Sequence, residues 1–374
     1  HIFGLRPWGF HLTNIIFHAG VTLRVYLIVS MLINQYHDLN FKFQIPNSKS
    51  KILNPKSKII NHKSEILNPP FVAALLFAAH PIHTEAVTWV AGIPELSFTL
   101  FYLLSFYFYI YPVRDKSLNR RGSCKSIEEI AFAVIPAKAG IQKSLVLKNT
   151  GFPIIPKHRD GNETNKDFCK NLRTKVNGRR GKRIVLSVFF FFLAILCKET
   201  AITLPLLLFV YDYSFRKDTL LPLSSKTLYQ LLKRYLPYLI VSIIYFILRT
   251  YALRGFAPLK RHVQLSNYEY FINIFPLFIQ YLEKLLLPIN MNAFYVFHPI
   301  SSIFQWKGII ALSFTLGFIF LMYFFRRHKL FFLCLLWIVI PLLPVLYIPA
   351  LGESTFTDRY LYLPSIGFVV LGAL

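Results

Sequence analysis

The 374-residue chain is apolar and strongly basic, with 55% hydrophobic residues, 17% aromatic residues and a formal net charge of +25. Apolar runs of about 14–25 residues recur along it, as a bilayer core of roughly 30 Å requires. This composition excludes an ordinary soluble globular domain. It predicts an all-α, polytopic helical membrane protein.

The positive charge is concentrated in two stretches. Residues 114–183 hold 18 Lys and Arg against 6 Asp and Glu, and residues 35–70 hold 6 against 2. Both stretches lie between apolar segments, so the positive-inside rule assigns them to cytoplasmic loops. Membrane topology therefore explains the charge, and the expected partner is the lipid bilayer rather than nucleic acid.

The apolar runs predict about 9–10 membrane segments. The run 270–287 carries Glu283 and Lys284, which favours an interfacial or re-entrant helix over a span. With the basic loops inside, the polar turns HPIHTEAV, CKET and ESTFTDR all fall on the outer face. The other predicted segments are 8–34, one ending at Ala79, 94–112, 183–197, 201–213, 235–253, 308–325, 330–349 and 360–374.

Both basic loops contain unusual sequence. Residues 45–70 repeat every seven residues (IPNSKSK, ILNPKSK, IINHKSE, ILNPP), and the Pro and Asn in these units disfavour helix. The stretch VIPAKAGIQ, Val134 to Gln142, resembles the peptide encoded by dispersed bacterial repeat elements. We therefore expect one membrane domain over 1–374, interrupted by a low-complexity insert at 35–70 and an inserted basic loop at 113–182.

The motif HPIHTEAVTWVAG places His80, His83 and Glu85 at the mouth of an apolar segment. One interpretation is an interfacial turn, in which Pro81 starts a new segment and Trp89 belongs to the aromatic belt. Another is a polar pocket for a substrate. A metal site is less favoured, because the motif lacks the His-x-x-x-His spacing of a helical zinc site. No metal ligand or cofactor is assigned, and a divalent metal is left open.

Charged residues also border other apolar segments. Lys198 and Glu199 lie between two apolar runs, where a charge costs roughly 2.5–3.5 kcal/mol, so they should pair in a hairpin turn or line a wet cavity. Arg249 and Arg254 lie near a helix exit. A guanidinium there can bind a phosphate through two hydrogen bonds, or can reach to the membrane surface.

Two further groups of polar residues are candidates for the functional site. Asp358 and Arg359 open the last apolar segment, as an interfacial anchor or as part of a site. In the first segment His11, Asn14 and His18 share one helical face. They are expected to hydrogen-bond across helices, with His11 alternatively lining the same outer cavity.

Five motifs in order carry a resemblance. They are LRPWGFHLTNIIFHA, LLFAAHPIHTEAVTWVAGIPEL, LCKETAITLPLLLFVYD, YLEKLLLPINMNAFY and TDRYLYLPSIGF. Together they resemble the polytopic glycosyltransferases of the GT-C type whose membrane domain precedes tetratricopeptide repeats, related to the transmembrane-and-TPR O-mannosyltransferases. The resemblance covers most of the chain outside 35–70 and 114–182.

The resemblance implies a GT-C-like bundle that transfers a sugar from a polyprenyl-phosphate donor to a protein or glycan acceptor on the outer membrane face. It implies a carboxylate base in the first outer loop and basic groups that stabilise the departing phosphate. The candidates for this donor and acceptor site are His80, His83, Glu85, Lys198, Glu199, Arg249, Arg254, Asp358 and Arg359. The implied location is a bacterial cytoplasmic membrane.

The sequence departs from the family pattern in three respects. The family's acidic pair would precede the first residue, the repeats would follow the last, and the usual Arg-x-Asp is Ile93-Pro94-Glu95 here. We therefore expect a fragment that lacks its catalytic carboxylates and is inactive, and we assign no catalytic residue. Two alternatives are a non-catalytic anchor that presents the repeats and a transporter of lipid-linked sugars.

Overall fold

The structure is a computed structural model that describes residues 7–43, 68–111, 163–216, 225–253, 265–292, 294–347 and 356–374. Within these ranges the chain forms α-helices and 3-10 turns and no β-strand, which confirms the all-α prediction. The helices are α1 (Pro7–Phe43), α2 (Pro69–Ala79), α3 (Thr84–Thr88), α4 (Ile93–Ile110), α5 (Glu163–Cys197), α6 (Leu204–Phe215), α7 (Ser225–Leu253), α8 (Asn267–Leu286), α9 (Trp306–Phe324), α10 (Lys329–Val339) and α11 (Ser365–Ala373).

Several helices are long and apolar enough to cross a bilayer, so the chain is a multi-pass membrane protein. Across the described ranges four stretches qualify: Pro7–His37, Val90–Ile110, Leu228–Leu253 and Trp306–Arg327. A fifth qualifies if α2 and the stretch Pro81–Thr88, which meet at a 50° bend, form one broken span. These are fewer full-length spans than the nine or ten segments that the apolar runs predict.

Proline explains part of this difference. Helix α2 has only 11 residues and ends at Ala79, just before Pro81. The predicted segment 330–349 is likewise divided, because α10 ends at Val339 and a 3-10 turn containing Pro341 follows. Proline has no amide hydrogen to donate and clashes with the preceding turn, so it can end a helix, as it does here, although α7 and α8 continue through Pro237 and Pro276.

Other helices extend beyond the apolar runs. Helix α1 continues to Phe43 rather than ending near residue 34, and α5 begins at Glu163 rather than at 183. Most of the two inserts, 44–67 and 112–162, falls outside the described residues, so the domain boundaries stay predictions.

The described residues within His1–Ile110 and Leu186–Leu374 form one compact unit. Its interior is built from α1, α2, α4, α6, α10 and α11, with fully buried side chains such as Val25, Phe77 and Tyr102. Lipid tails are as apolar as these side chains, so close packing and interhelical hydrogen bonds hold such an interior together. A second unit, Tyr111–Val185, includes the first part of α5; there the Arg183 guanidinium lies 4.6 Å from the centre of the Tyr111 ring.

Helix α8 differs from the spanning helices. A capping box starts it: the Ser266 hydroxyl accepts from the Glu269 amide, and the Glu269 carboxylate accepts from the Ser266 amide. It buries Ile272, Leu277 and Tyr281 on one side. It is 20 residues long, yet it is not among the stretches that qualify as spans. The interfacial or re-entrant assignment of 270–287 stays a prediction.

Candidate functional site

The turn between α2 and α4 is held in place by α1. The Asn14 side-chain amide donates to the backbone oxygens of Val87 (3.0 Å) and Trp89 (2.8 Å). This confirms the predicted cross-helix role of Asn14. At the end of the turn, Gly92 passes so close to the Ala86 carbonyl that a Cβ would lie 2.1 Å from its oxygen. The turn therefore presents Glu85 in one defined orientation.

Glu85 binds Arg359, 274 residues away in the chain. One carboxylate oxygen accepts the Arg359 backbone amide at 3.0 Å, and the other lies 3.2 Å from Arg359 Nη1. The same guanidinium has its Nε 3.7 Å from Glu95 Oε1 and lies 4.6 Å from the centre of the Trp89 ring. Two carboxylates and an aromatic face thus surround one arginine.

Glu95 also pairs with Lys198, at the end of α5. The Lys198 ammonium donates to Glu95 Oε1, and it lies 4.3 Å from the centre of the Tyr360 ring. Glu85, Arg359, Glu95 and Lys198 form what we call the four-charge network. It holds two carboxylates and two cations and is therefore balanced in charge. The side chains of its two cations keep 21% and 14% of their surface exposed, enough to meet a ligand.

A second pair lies next to the network in the chain. Arg249 Nη1 is 3.1 Å from Glu199 Oε2 and also donates to the Tyr245 hydroxyl at 2.8 Å. The Glu199 side chain is 56% exposed. Lys198 and Glu199 therefore have different partners. A simple hairpin turn would instead have paired them with each other.

Asp358 lies beside the network with a partner of its own. It is buried, and one carboxylate oxygen accepts the Tyr295 hydroxyl at 2.7 Å. Burial raises the pKa of the Asp358 carboxyl, and it raises the pKa of the Tyr295 hydroxyl to about 12, so this hydroxyl stays a donor. The Lys284 ammonium donates to the carbonyls of Ile289 (2.6 Å) and Asn290 (3.0 Å), which shapes the loop that carries Tyr295.

The turn histidines hydrogen-bond to partners other than these charges. His83 is 3% exposed and its Nε2 is 2.8 Å from the Ser365 hydroxyl, so it belongs to the packed interior rather than to an open cavity. His80 uses Nδ1 to accept the Ile82 amide at 3.2 Å. His18 bridges helices through the Tyr362 hydroxyl at 2.7 Å, as predicted, and has a further contact with His83 at 5.5 Å between ring centres.

The structure thus brings Glu85, Lys198 and Arg359 together, places Asp358 next to them, and pairs Glu199 with Arg249. Arg254 lies outside the described residues. Over the described ranges no group of three His, Cys, Asp or Glu side chains is arranged to hold a metal ion.

Sequence reasoning missed Glu95 as a site residue. The sequence does contain a signal for Glu95, because a carboxylate in the first turn of an otherwise apolar helix should have a partner. The sequence does not reveal that the partners are Lys198 and Arg359. Tyr295 and Lys284 were missed too, and no local signal distinguishes them from ordinary interfacial residues.

A second polar cluster lies near the other end of α6. Asp212 is fully buried and contacts Arg216 (3.0 Å) and Arg234 (2.5 Å). The hydroxyls of Tyr109 and Tyr235 donate to the same carboxylate at 2.6 and 2.9 Å. These contacts join α4, α6 and α7. The carboxylate is saturated with donors, which indicates a structural role.

The fold and the four-charge network define a polytopic membrane protein with a charge-paired site at the ends of its helices. About a third of the chain is similar to protein O-mannosyl-transferases of animals, in agreement with the motif resemblance. TMTC4 of Homo sapiens is 32% identical over 126 residues, 33% of this chain and 14% of that protein. Tmtc3 of Drosophila melanogaster is 34% identical over 118 residues, 31% and 11% of the two chains. TMTC2 of Mus musculus is 33% identical over 119 residues, 32% and 10%.

The sequence similarity covers only a small part of each related protein. The matched stretch spans 14% or less of each of these three relatives. No protein-family model matches the chain, and no solved structure is significantly similar to it.

Proposed function

We propose that this chain carries the donor site of a membrane glycosyltransferase that moves a sugar from a polyprenyl-phosphate carrier to a protein or glycan acceptor. The observation that supports it most is the four-charge network, in which Arg359 and Lys198 lie on either side of Glu95. A phosphate that departs from an anomeric carbon carries negative charge, and pre-positioned cations stabilise it.

In this proposal the carboxylates position the two cations, and the phosphate binds to these cations while they stay paired with the carboxylates. Glu85 binds both the backbone and the side chain of Arg359, so the guanidinium keeps its orientation when a ligand arrives. Arginine suits a phosphate because its planar donors match two oxygens at once. Arg249, tied to an exposed carboxylate, is a further candidate for phosphate contact.

The finer parts of the proposal rest on the resemblance and on topology. They are the GT-C-type bundle, the outer-face position of the site and the polyprenyl-phosphate donor. The relatives compared above come from animals, so the bacterial location rests on the repeat-like peptide VIPAKAGIQ. The catalytic carboxylate is left unassigned.

The test is donor binding by the purified chain in lipid nanodiscs, with radiolabelled undecaprenyl-phosphate-mannose as the donor probe. We expect Arg359→Ala to weaken donor binding by about tenfold to a hundredfold, as for the loss of one charge-assisted hydrogen bond of about 1.5–3 kcal/mol.

Arg326→Ala is the matched control. Arg326 lies in the turn Phe325–Arg327 and contacts the Tyr323 ring at 3.9 Å, away from the network. This variant should bind the donor as the unchanged chain does. Equal binding by Arg359→Ala and the unchanged chain would remove Arg359 from the site. A chain that binds no donor at all would contradict the proposed function.

A further inference from the structure

The connection between α8 and α9 contains a stretch of chain with unused backbone groups. From Tyr295 to Ile300 the backbone forms no helix, turn or strand pairing. Within the described part of the chain, the amides of Tyr295, Val296, Phe297 and His298 donate to no acceptor. Backbone amides are obligatory donors, so such a row is a ready edge for another chain.

The side chains of this stretch alternate between two sides. Tyr295 and Phe297 are half-buried and pack on the cluster around Tyr281 and Phe356. Phe294 and Val296 point outward, with 60% and 68% of their surface exposed. A period of two is typical of an extended chain, with one face on the protein and the other open. The apolar outer face would pack well against the side chains of a second extended segment.

One edge of the stretch faces outward. The imidazole of the exposed His298 has its Nδ1 3.1 Å from the Val296 carbonyl oxygen. The amide and carbonyl of one residue in an extended chain point to the same edge, so the Val296 amide lies on this accessible edge as well.

The stretch is continuous with the candidate site. The Tyr295 hydroxyl donates to Asp358 at 2.7 Å, and Asp358 precedes the Arg359 of the four-charge network. A chain that pairs with this stretch would therefore run beside the charges that we assign to the donor phosphate.

We propose that Phe294–His298 is a docking strand for an extended segment of the acceptor polypeptide, which adds to it through backbone hydrogen bonds. The inference rests on the proposed function, whose acceptor class it narrows to polypeptide. The bilayer is a poorer occupant for this stretch, because unpaired backbone amides are strongly disfavoured in hydrocarbon.

The test measures binding of a fluorescent ten-residue peptide of alternating Thr and Val to the chain in nanodiscs. Val296→Pro deletes one amide on the accessible edge and breaks no hydrogen bond of the described residues. Val296→Ala is the matched control, since it trims the side chain and keeps the amide. We expect the proline variant to bind the peptide about tenfold more weakly and the alanine variant to stay within about threefold of the unchanged chain. Equal weakening by both variants would overturn the proposal.

Hydrogen–deuterium exchange on the unsubstituted chain gives a second, independent measurement. Adding the peptide should slow exchange of the Val296 and His298 amides, which lie on the accessible edge. Absence of protection would overturn the docking strand, and so would protection by the nanodisc alone without peptide, which would assign the stretch to the lipid surface.

The same variants separate this inference from the proposed function. Donor binding by a chain whose peptide binding is unchanged in Val296→Pro would leave the donor site standing and refute the docking strand. Peptide binding that is weakened by Val296→Pro, in a chain that binds no mannosyl donor, would support the docking strand and refute the donor site.

Discussion

The carboxylates of the site differ most in how far they are removed from water. The Glu95 side chain is 7% exposed and pairs with a cation that is nearly as buried, whereas the Glu199 side chain is 56% exposed. A buried charge that loses its partner is strongly destabilising, while an exposed pair contributes little. Each pair joins a glutamate to a basic side chain, so the two compare a buried ion pair with an exposed one.

We expect Glu95→Gln to lower the free energy of unfolding by about 3 kcal/mol, because it leaves Lys198 buried without a countercharge. Glu199→Gln should change it by less than about 1 kcal/mol. Thermal unfolding in detergent, followed by intrinsic fluorescence, measures both. Equal effects of the two substitutions would show that burial does not determine how much the Glu95–Lys198 pair contributes to stability.

Asp358 gives a pH-dependent prediction. Burial raises the pKa of its carboxyl above the ordinary value of 3.8, so the folded protein binds this proton more tightly than the unfolded chain. The stabilisation by the protonated form is complete below pH 3.8 and is lost as the pH rises through the folded-state pKa. As the pH rises from 3.8 through the folded-state pKa, the unfolding midpoint temperature of Asp358→Asn should therefore rise relative to that of the unchanged chain. Above that pKa the difference should level off. A relative midpoint that falls with rising pH would contradict the assignment.

At the scale of an element, the turn between α2 and α4 depends on close packing of its backbone. Pro81 and Thr84 open it, with the Thr84 hydroxyl donating to the Pro81 carbonyl at 2.6 Å, and Gly92 closes it against Ala86. This geometry orients Glu85, which in turn holds Arg359. A change in the turn should therefore reach the candidate site without touching any charge.

We expect Gly92→Ala to destabilise the chain by about 2 kcal/mol or more, because the added methyl would overlap the Ala86 carbonyl. Gly317→Ala is the control. No atom lies within 4 Å of a Cβ built at Gly317, which sits in the middle of α9, and alanine there should be neutral or stabilising. Thermal unfolding of the two variants checks this, and a Gly92→Ala chain as stable as the Gly317→Ala chain would refute the close approach.

At the scale of the whole compact unit, two polar clusters lie near opposite ends of α6. The four-charge network joins the end of α5 to α3, α4 and the turn before α11, and the Asp212 cluster joins α4, α6 and α7. In lipid, interhelical hydrogen bonds with defined partners act together with close packing. The two clusters therefore help to set how the helices align.

We expect Asp212→Asn to lower the free energy of unfolding by about 3–5 kcal/mol, since it leaves two arginines without their shared carboxylate. Tyr235→Phe removes only one of the hydroxyl donors and should lower it by about 1 kcal/mol. Thermal unfolding of both variants is the measurement. A similar, small loss in the two would show that the arginines find other partners.

Much of this organisation could be predicted from the amino-acid order. Apolar run lengths predict a multi-pass helical protein, because the bilayer thickness sets them, and the ordered motifs predict the glycosyltransferase relatives. Charges beside apolar runs, such as Lys198 and Arg359, could be marked as candidates because an unpaired charge there is costly. Prolines such as Pro81 and Pro341 could be seen, but the sequence does not say whether each one ends a helix or only bends it.

The pairing of those charges was decided by the tertiary structure. Glu85 and Arg359 are 274 residues apart, and no local pattern states that they meet or that Glu95 rather than Glu199 takes Lys198. The same holds for His83, whose motif suggests a cavity although helix packing buries it. Sequence by itself determined which residues need a partner, because the cost of burying a charge or an amide is local. Only the packed helices decided which partner each one has, because that depends on how distant segments align.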